Sequence, residues 1–121
     1  MIIGIGVDVV DLARFERALD RTPALKSRLF ADGELSTPSR VLSLRSLAGR
    51  FAAKEALIKA LGDSHGVQWH DMQVVSDDHG NPHFELSGAA AEVAVAKGAT
   101  RLHLSMSHDA GVAVAYVVAE S

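Results

Sequence analysis

Gly49-Arg50-Phe51-Ala52-Ala53-Lys54-Glu55-Ala56-Leu57-Ile58-Lys59-Ala60-Leu61 reads as the second half of a long helix. Ala, Leu, Lys and Glu dominate it, and all are strong helix formers. Gly62 follows the last apolar residue, where a glycine stops a helix. Leu44, Leu47, Phe51 and Ile58 recur at helical spacing, so that side is expected to face the core. Glu55 lies one turn before Lys59, and Arg50 one turn before Lys54. Ala48, Ala52 and Ala56 form a low-relief surface close to the Glu55 side. A carboxylate among cations beside such a surface suits a metal-bound polyphosphate, because Mg²⁺ is held by one or two carboxylates plus the substrate's own oxygens. The plainer alternative is an ordinary surface pair at i,i+4, worth roughly 0.3–0.5 kcal/mol. On the helix alone the plainer reading is favoured.

The chain around it has 121 residues, enough for one domain over residues 1–121 with a core of its own. Hydrophobic residues make up 48% and aromatics 5%, so that core must be built from Leu, Val, Ile and Ala. Cysteine is absent, which excludes disulfides and thiolate metal sites and fits a reducing cytoplasm. No run reaches the about 20 apolar residues that span a bilayer, and Met1-Ile2-Ile3-Gly4 has no basic leader. A net charge of −3 argues against a general nucleic-acid binder.

Residues 2–10 are β-branched and nearly continuous, a buried strand interrupted by Gly4 and Gly6. Glycine in a strand marks a close approach by another backbone or a ligand. The Gly4-x-Gly6 pair lacks the third glycine of a dinucleotide fingerprint. Asp8, among Val7, Val9 and Val10, is costly unless paired, metal-bound or exposed. It could instead cap the following helix, a task Asp11 serves equally well. Residues 11–19 form that helix, with Leu12, Phe15 and Leu19 buried. Arg14, Arg17 and Arg21 make a basic stripe beside them if the helix reaches Arg21, either a solvated face or a docking surface for an acidic partner. A second helix starts with Thr22 as cap and Pro23 at its first position, and runs to about Phe30. Residues 32–39 are turn-rich and are assigned no chemistry; insertions should be tolerated there. The long helix is expected to begin between Ser39 and Ser43.

After Gly62, residues 67–75 read as a strand broken near His70-Asp71. Asp77 to Pro82 is a turn and residues 83–86 a second strand, giving a hairpin with a polar tip. An alanine-rich helix follows from a Ser87 cap to Gly98. Two strands finish the chain. Residues 101–108 alternate, with His108 on the apolar side. Residues 112–119 are apolar on both faces, so this strand is central in a sheet or buried in an interface. Adjacent Ser107, His108 and Asp109 cannot form a hydrolase triad, because neighbouring strand side chains point to opposite faces.

An opening Gly4-Ile5-Gly6-Val7-Asp8, the central Gly49-to-Leu61 helix and a late Ser105-Met106-Ser107-His108 occur in the order of the holo-acyl-carrier-protein synthases. The chain resembles these small members of the 4′-phosphopantetheinyl transferase family nearly from end to end. Its Ala- and Val-rich C-terminal half and the Thr22-Pro23 start look similar to actinobacterial members. The resemblance implies an α+β fold, with a small mixed or antiparallel sheet packed against one long helix and shorter helices. It implies transfer of the 4′-phosphopantetheine arm from coenzyme A to a serine of apo-acyl carrier protein, serving fatty acid biosynthesis and releasing adenosine 3′,5′-bisphosphate. By the same resemblance Asp8 and Glu55 hold Mg²⁺, and Lys59 with Arg50 or Lys54 faces the phosphates. Ser107 and His108 contact phosphate, Gly80 and Pro82 lie near the adenine end, and Arg14, with a looser match at Arg17 and Arg21, docks the carrier. Glu55, Lys59 and His108 are the catalytic candidates. The general base stays open between Glu55, directly or through a metal-bound water, and His108 or Asp109. Short members of the family are trimers with sites shared between subunits. Two rivals are kept: a non-catalytic trimeric binding module for coenzyme A or nucleotides, and a Mg²⁺-dependent nucleotide hydrolase.

Overall fold

The computed structural model describes residues 1–37 and 40–121. The chain opens with strand β1 (Ile2–Asp11), then helices α1 (Leu12–Arg21), α2 (Ala24–Leu29) and α3 (Asp32–Leu35). A short ribbon, β2 (Ser36–Thr37) and β3 (Arg40–Val41), leads into α4 (Leu44–Leu61). A 3₁₀ turn at Trp69–Asp71 precedes the hairpin β4 (Met72–Ser76) and β5 (Pro82–Leu86). Helix α5 (Gly88–Ala96) and the hairpin β6 (Arg101–Asp109) and β7 (Val112–Glu120) complete the chain. Pro38 and Ser39, part of the stretch read from sequence as turn, lie outside the described residues. Among the described residues no helix is long and apolar enough to cross a membrane.

The main sheet has the order β1-β7-β6 and is antiparallel throughout. Strand β7 is its centre, one of the two placements that its apolar character on both faces allowed. Alternate residues Ala113, Ala115, Val117 and Ala119 are buried against α4. The other face of the sheet is open: Ile5, Val9 and Tyr116 are 53%, 58% and 48% exposed. The β6–β7 turn passes through Ala110 (φ 50°) and Gly111 (φ 78°), two successive left-handed residues that close a tight hairpin.

Helix α4 begins at Ser43, whose Oγ accepts from the Ser46 N–H at 3.2 Å, and ends at Gly62 with φ 72°. Its buried side differs from the one the large apolar residues suggested. Ala48, Ala52, Ala53 and Ala56 have no exposure, whereas Phe51 and Ile58 are only half-buried. The reason lies in β1. A Cβ at Gly4 or Gly6 would overlap the carbonyl oxygens of Ala60 and Ala56. Helix and strand therefore meet backbone to backbone, and only Ala and Gly fit between them. The low-relief alanine surface is thus used for packing rather than for a polyphosphate.

Three local expectations shift. Asp11 caps α1, accepting from the Arg14 N–H at 2.9 Å, so Asp8 is not needed as a cap. Pro23, not Thr22, precedes α2, and no side chain caps it. The segment assigned no chemistry contains α3, whose Glu34 is fully buried; an insertion beside it would displace a buried carboxylate.

Candidate active site

Asp8 and Glu55 face one another across the β1–α4 contact. Gly6 and Asp8 point to the same side of β1, towards the helix, because strand side chains alternate. The Asp8 Oδ1 lies 3.2 Å from Lys59 Nζ, which also donates to the Val7 carbonyl at 3.0 Å. Lys59 therefore pairs with Asp8 on another element, not with Glu55 one turn before it. Burial holds the Glu55 carboxyl above its ordinary range; the negative charge of Asp8 raises it further, and Lys59 only partly opposes this. Asp8, Glu55, Asp11 and Arg14 line one side of a cleft of about 360 Å³. Phe15 and Phe51, stacked at 5.5 Å between centroids, form its apolar wall. Phe51 thus belongs to the cleft that desolvates Glu55. Arg14, Arg17 and Arg21 are exposed along α1, which does reach Arg21.

A second cleft, about 230 Å³, gathers Arg50, Gly80, Pro82, Ser107 and His108. These come from α4, the tip of the β4–β5 hairpin and the end of β6. Arg50 donates from Nε to the Val74 carbonyl at 3.3 Å. Arg45 and Ser46 line this cleft too, and the sequence reading passed over them. The available signal was spacing, since Arg45 stands four residues before Gly49 and Ser46 four before Arg50 on one helix. Asp109, a base candidate, spends its Oδ1 on the Ala110 N–H at 2.8 Å. Among the described residues none lines both clefts, so one chain carries the expected site as two separate halves.

Lys54 belongs to neither. Its side chain is fully buried, and its ammonium donates to Glu34 Oε1 at 2.7 Å, the Leu29 carbonyl at 2.6 Å and the Trp69 carbonyl at 3.0 Å. Three donors meet three acceptors inside the fold. The expectation that Lys54 contacts phosphate is corrected accordingly: its charge is consumed by the interior.

A hard divalent cation fits the first cleft. Two carboxylates line it, Lys59 pairs with Asp8, and the like charge of Asp8 contributes to the raised Glu55 carboxyl after burial. Among the described residues no third His, Asp or Glu joins them to form a closed metal cage. Mg²⁺ asks for no more protein ligands than this, since water and substrate phosphates supply the rest.

A model of the 4′-phosphopantetheinyl transferase superfamily matches residues 4–117. A protein of Clavibacter michiganensis subsp. michiganensis named holo-[acyl-carrier-protein] synthase is 62% identical over 120 residues, 99% of this chain and 97% of the relative. The crystal structure of holo-[acyl-carrier-protein] synthase from Neisseria meningitidis superposes with a TM-score of 0.90 at 35% identity, covering 100% of both chains. That of a holo-(acyl-carrier-protein) synthase from Bacillus anthracis in complex with CoA (3′,5′-ADP) gives 0.80 at 36% identity, covering 100% of this chain and 98% of that one. These likenesses run over nearly every element that builds the two clefts, and the chain belongs to the 4′-phosphopantetheinyl transferase superfamily.

Proposed function

We infer that the chain is a holo-[acyl-carrier-protein] synthase, which transfers the 4′-phosphopantetheine arm of coenzyme A to a serine of apo-acyl carrier protein and so serves fatty acid biosynthesis. The observation that carries this is the Asp8–Glu55 carboxylate pair with Lys59 against it, at a cleft rimmed by Arg14. The serine hydroxyl attacks the phosphorus that carries the pantetheine arm. A new O–P bond forms as the bond to the second phosphate breaks, and adenosine 3′,5′-bisphosphate departs. Positioning and charge neutralisation do most of the work in such a transfer. Asp8 and Glu55 are the residues that would hold Mg²⁺, which when bound neutralises charge on the diphosphate. Lys59 offers its ammonium to the charge that grows on the leaving phosphate. Arg50, Ser107 and His108 hold phosphate in the second cleft, with Gly80 and Pro82 against the nucleotide. Glu55, directly or through a water, is the proton acceptor in this reading, since it lines the cleft beside Asp8. The exposed arginines of α1 dock the acidic carrier.

We propose, as the family resemblance implies, a trimer in which the second cleft of one copy completes the first cleft of the next. The lack, among the described residues, of one shared by the two clefts is consistent with such an arrangement. The open apolar face of the main sheet, with Ile5, Val9 and Tyr116, is the surface such copies would bury. A chain without cysteine acting on these substrates suits the cytoplasm.

The test is direct. Protein, coenzyme A, Mg²⁺ and apo-acyl carrier protein are mixed, and the carrier is weighed by intact mass spectrometry. A gain of one phosphopantetheine arm, abolished by a chelator, is expected. Metal-dependent loss of coenzyme A without any gain would make the chain a hydrolase, and tight coenzyme A binding with neither change a binding module.

A further inference from the structure

The fully buried Glu34 has a second set of partners besides Lys54. Its Oε2 accepts from the Val74 N–H at 3.0 Å, and its Oε1 accepts from the Ala31 N–H at 3.1 Å. Val74 sits in the middle of β4, and its carbonyl is the group that receives Arg50 Nε. One peptide segment is thus gripped at its N–H by Glu34 and at its C=O by Arg50. Both Lys54 and Arg50 project from α4, one turn apart. The β4–β5 pair is a two-stranded sheet of its own, not a continuation of β1-β7-β6. It needs anchoring from outside the ladder, since an isolated two-stranded hairpin is marginally stable at best. The same hairpin presents Gly80 and Pro82 to the second cleft, opposite Arg50.

We propose that Glu34, locked in place by Lys54, is a positioning residue for coenzyme A: by fixing Val74 it sets both the Arg50 guanidinium and the hairpin that together form the second cleft. This rests on the reading of that cleft as the coenzyme A site. Glu34 reaches no substrate. It acts through Val74, and α3 is thereby coupled to nucleotide binding although it lies outside both clefts.

The experiment begins with wild-type protein, whose affinity for coenzyme A is measured by titration calorimetry. Absence of binding there would overturn the reading of the cleft, and the inference with it. With binding in hand, Glu34→Gln tests the inference alone. The KM for coenzyme A is expected to rise roughly ten-fold, the effect of about one lost charge-assisted hydrogen bond. The kcat and the KM for carrier protein should stay within about two-fold. A lowered melting temperature with an unchanged KM for coenzyme A would reduce Glu34 to a stabilising residue and overturn the proposal. The double variant Glu34→Leu with Lys54→Met covers the case in which the single change unfolds the protein. It removes both buried charges at similar volume, a replacement that folds tolerate, and the same ten-fold rise is expected. A third readout needs no variant. Coupling is reciprocal, so coenzyme A binding to the wild-type protein should slow hydrogen exchange of the Val74 amide. Exchange that stays at the ligand-free rate under saturating coenzyme A would refute the coupling.

Discussion

Lys54 and Glu55 are neighbours in the chain and opposites in the fold. Lys54 points inward, is fully buried, and gives its three protons to three acceptors. Burial lowers its affinity for a proton, and the hydrogen bond and charge of Glu34 work against that loss. Glu55, turned by one helical step, looks into a cleft where burial and a like charge disfavour its ionised form. The first charge is compensated within the molecule. The second is left wanting a cation, which is the state expected of a group that waits for a ligand. One turn of α4 therefore holds a charge that is compensated within the fold and a charge that is not, the second being the one we propose serves the chemistry, and only the surroundings distinguish them.

The contrast is broken most forcefully from the Lys54 side. Lys54→Ala leaves Glu34 buried without its cation, and should destabilise the protein by about 3–5 kcal/mol in urea unfolding. Replacing both partners by Leu and Met removes the unpaired charge and should recover part of that loss, the remainder being the Leu29 carbonyl and Val74 N–H left without partners. A loss below about 1 kcal/mol for Lys54→Ala would place the pair among weak surface bridges and remove the distinction. From the other side, Asp8→Ala should leave the fold intact and slow phosphopantetheine transfer by about 10²–10³-fold, followed as initial rates by mass spectrometry. A rate within ten-fold of wild type would mean that the carboxylate cleft is not where the reaction occurs.

The fold was legible wherever residue size and pattern carry the information. Gly62 marks the end of α4 and its start falls at Ser43, within the range the sequence allowed, and the two apolar faces of residues 112–119 left the centre of a sheet as one of two places for that strand. The buried face of α4 was not legible from its large residues. Phe51 and Ile58 weigh heavily in any hydrophobic pattern and alanines hardly at all, yet close backbone packing against Gly4 and Gly6 selects alanine. The Gly-x-Gly spacing on β1 and the Ala48, Ala52, Ala56, Ala60 ladder were two halves of one contact. Much the same holds for the candidate site. Asp8 with Glu55, and Arg50 with Gly80, Pro82, Ser107 and His108, line common clefts, whereas the Asp8–Lys59 pair was not legible, since the sequence offered Glu55 as the partner of Lys59. Lys54 escaped because nothing local separates a buried lysine from an exposed one. Its partner lies 20 positions away in a stretch whose Asp, Gly, Ser and Thr read as turn.

Glu55→Gln gives the smallest effect and the sharpest test of the contrast. In the folded chain the carboxyl is held above its ordinary value of 4.5, by burial first and by Asp8 second. A raised carboxyl favours its protonated form, so the stability it contributes is fully present below pH 4.5 and is lost as pH rises through the raised value. Glutamine never ionises. In ligand-free protein at about pH 8 the variant should therefore melt above wild type, and the two melting curves should converge as the pH falls below the unfolded value. Mg²⁺ added at the higher pH should raise the wild-type Tm and leave that of Glu55→Gln unmoved, since only a ligand bound by the folded state stabilises it. A variant that melts below wild type at pH 8 would show Glu55 to be compensated as Lys54 is. The cleft would then have no unmet charge with which to recruit a metal.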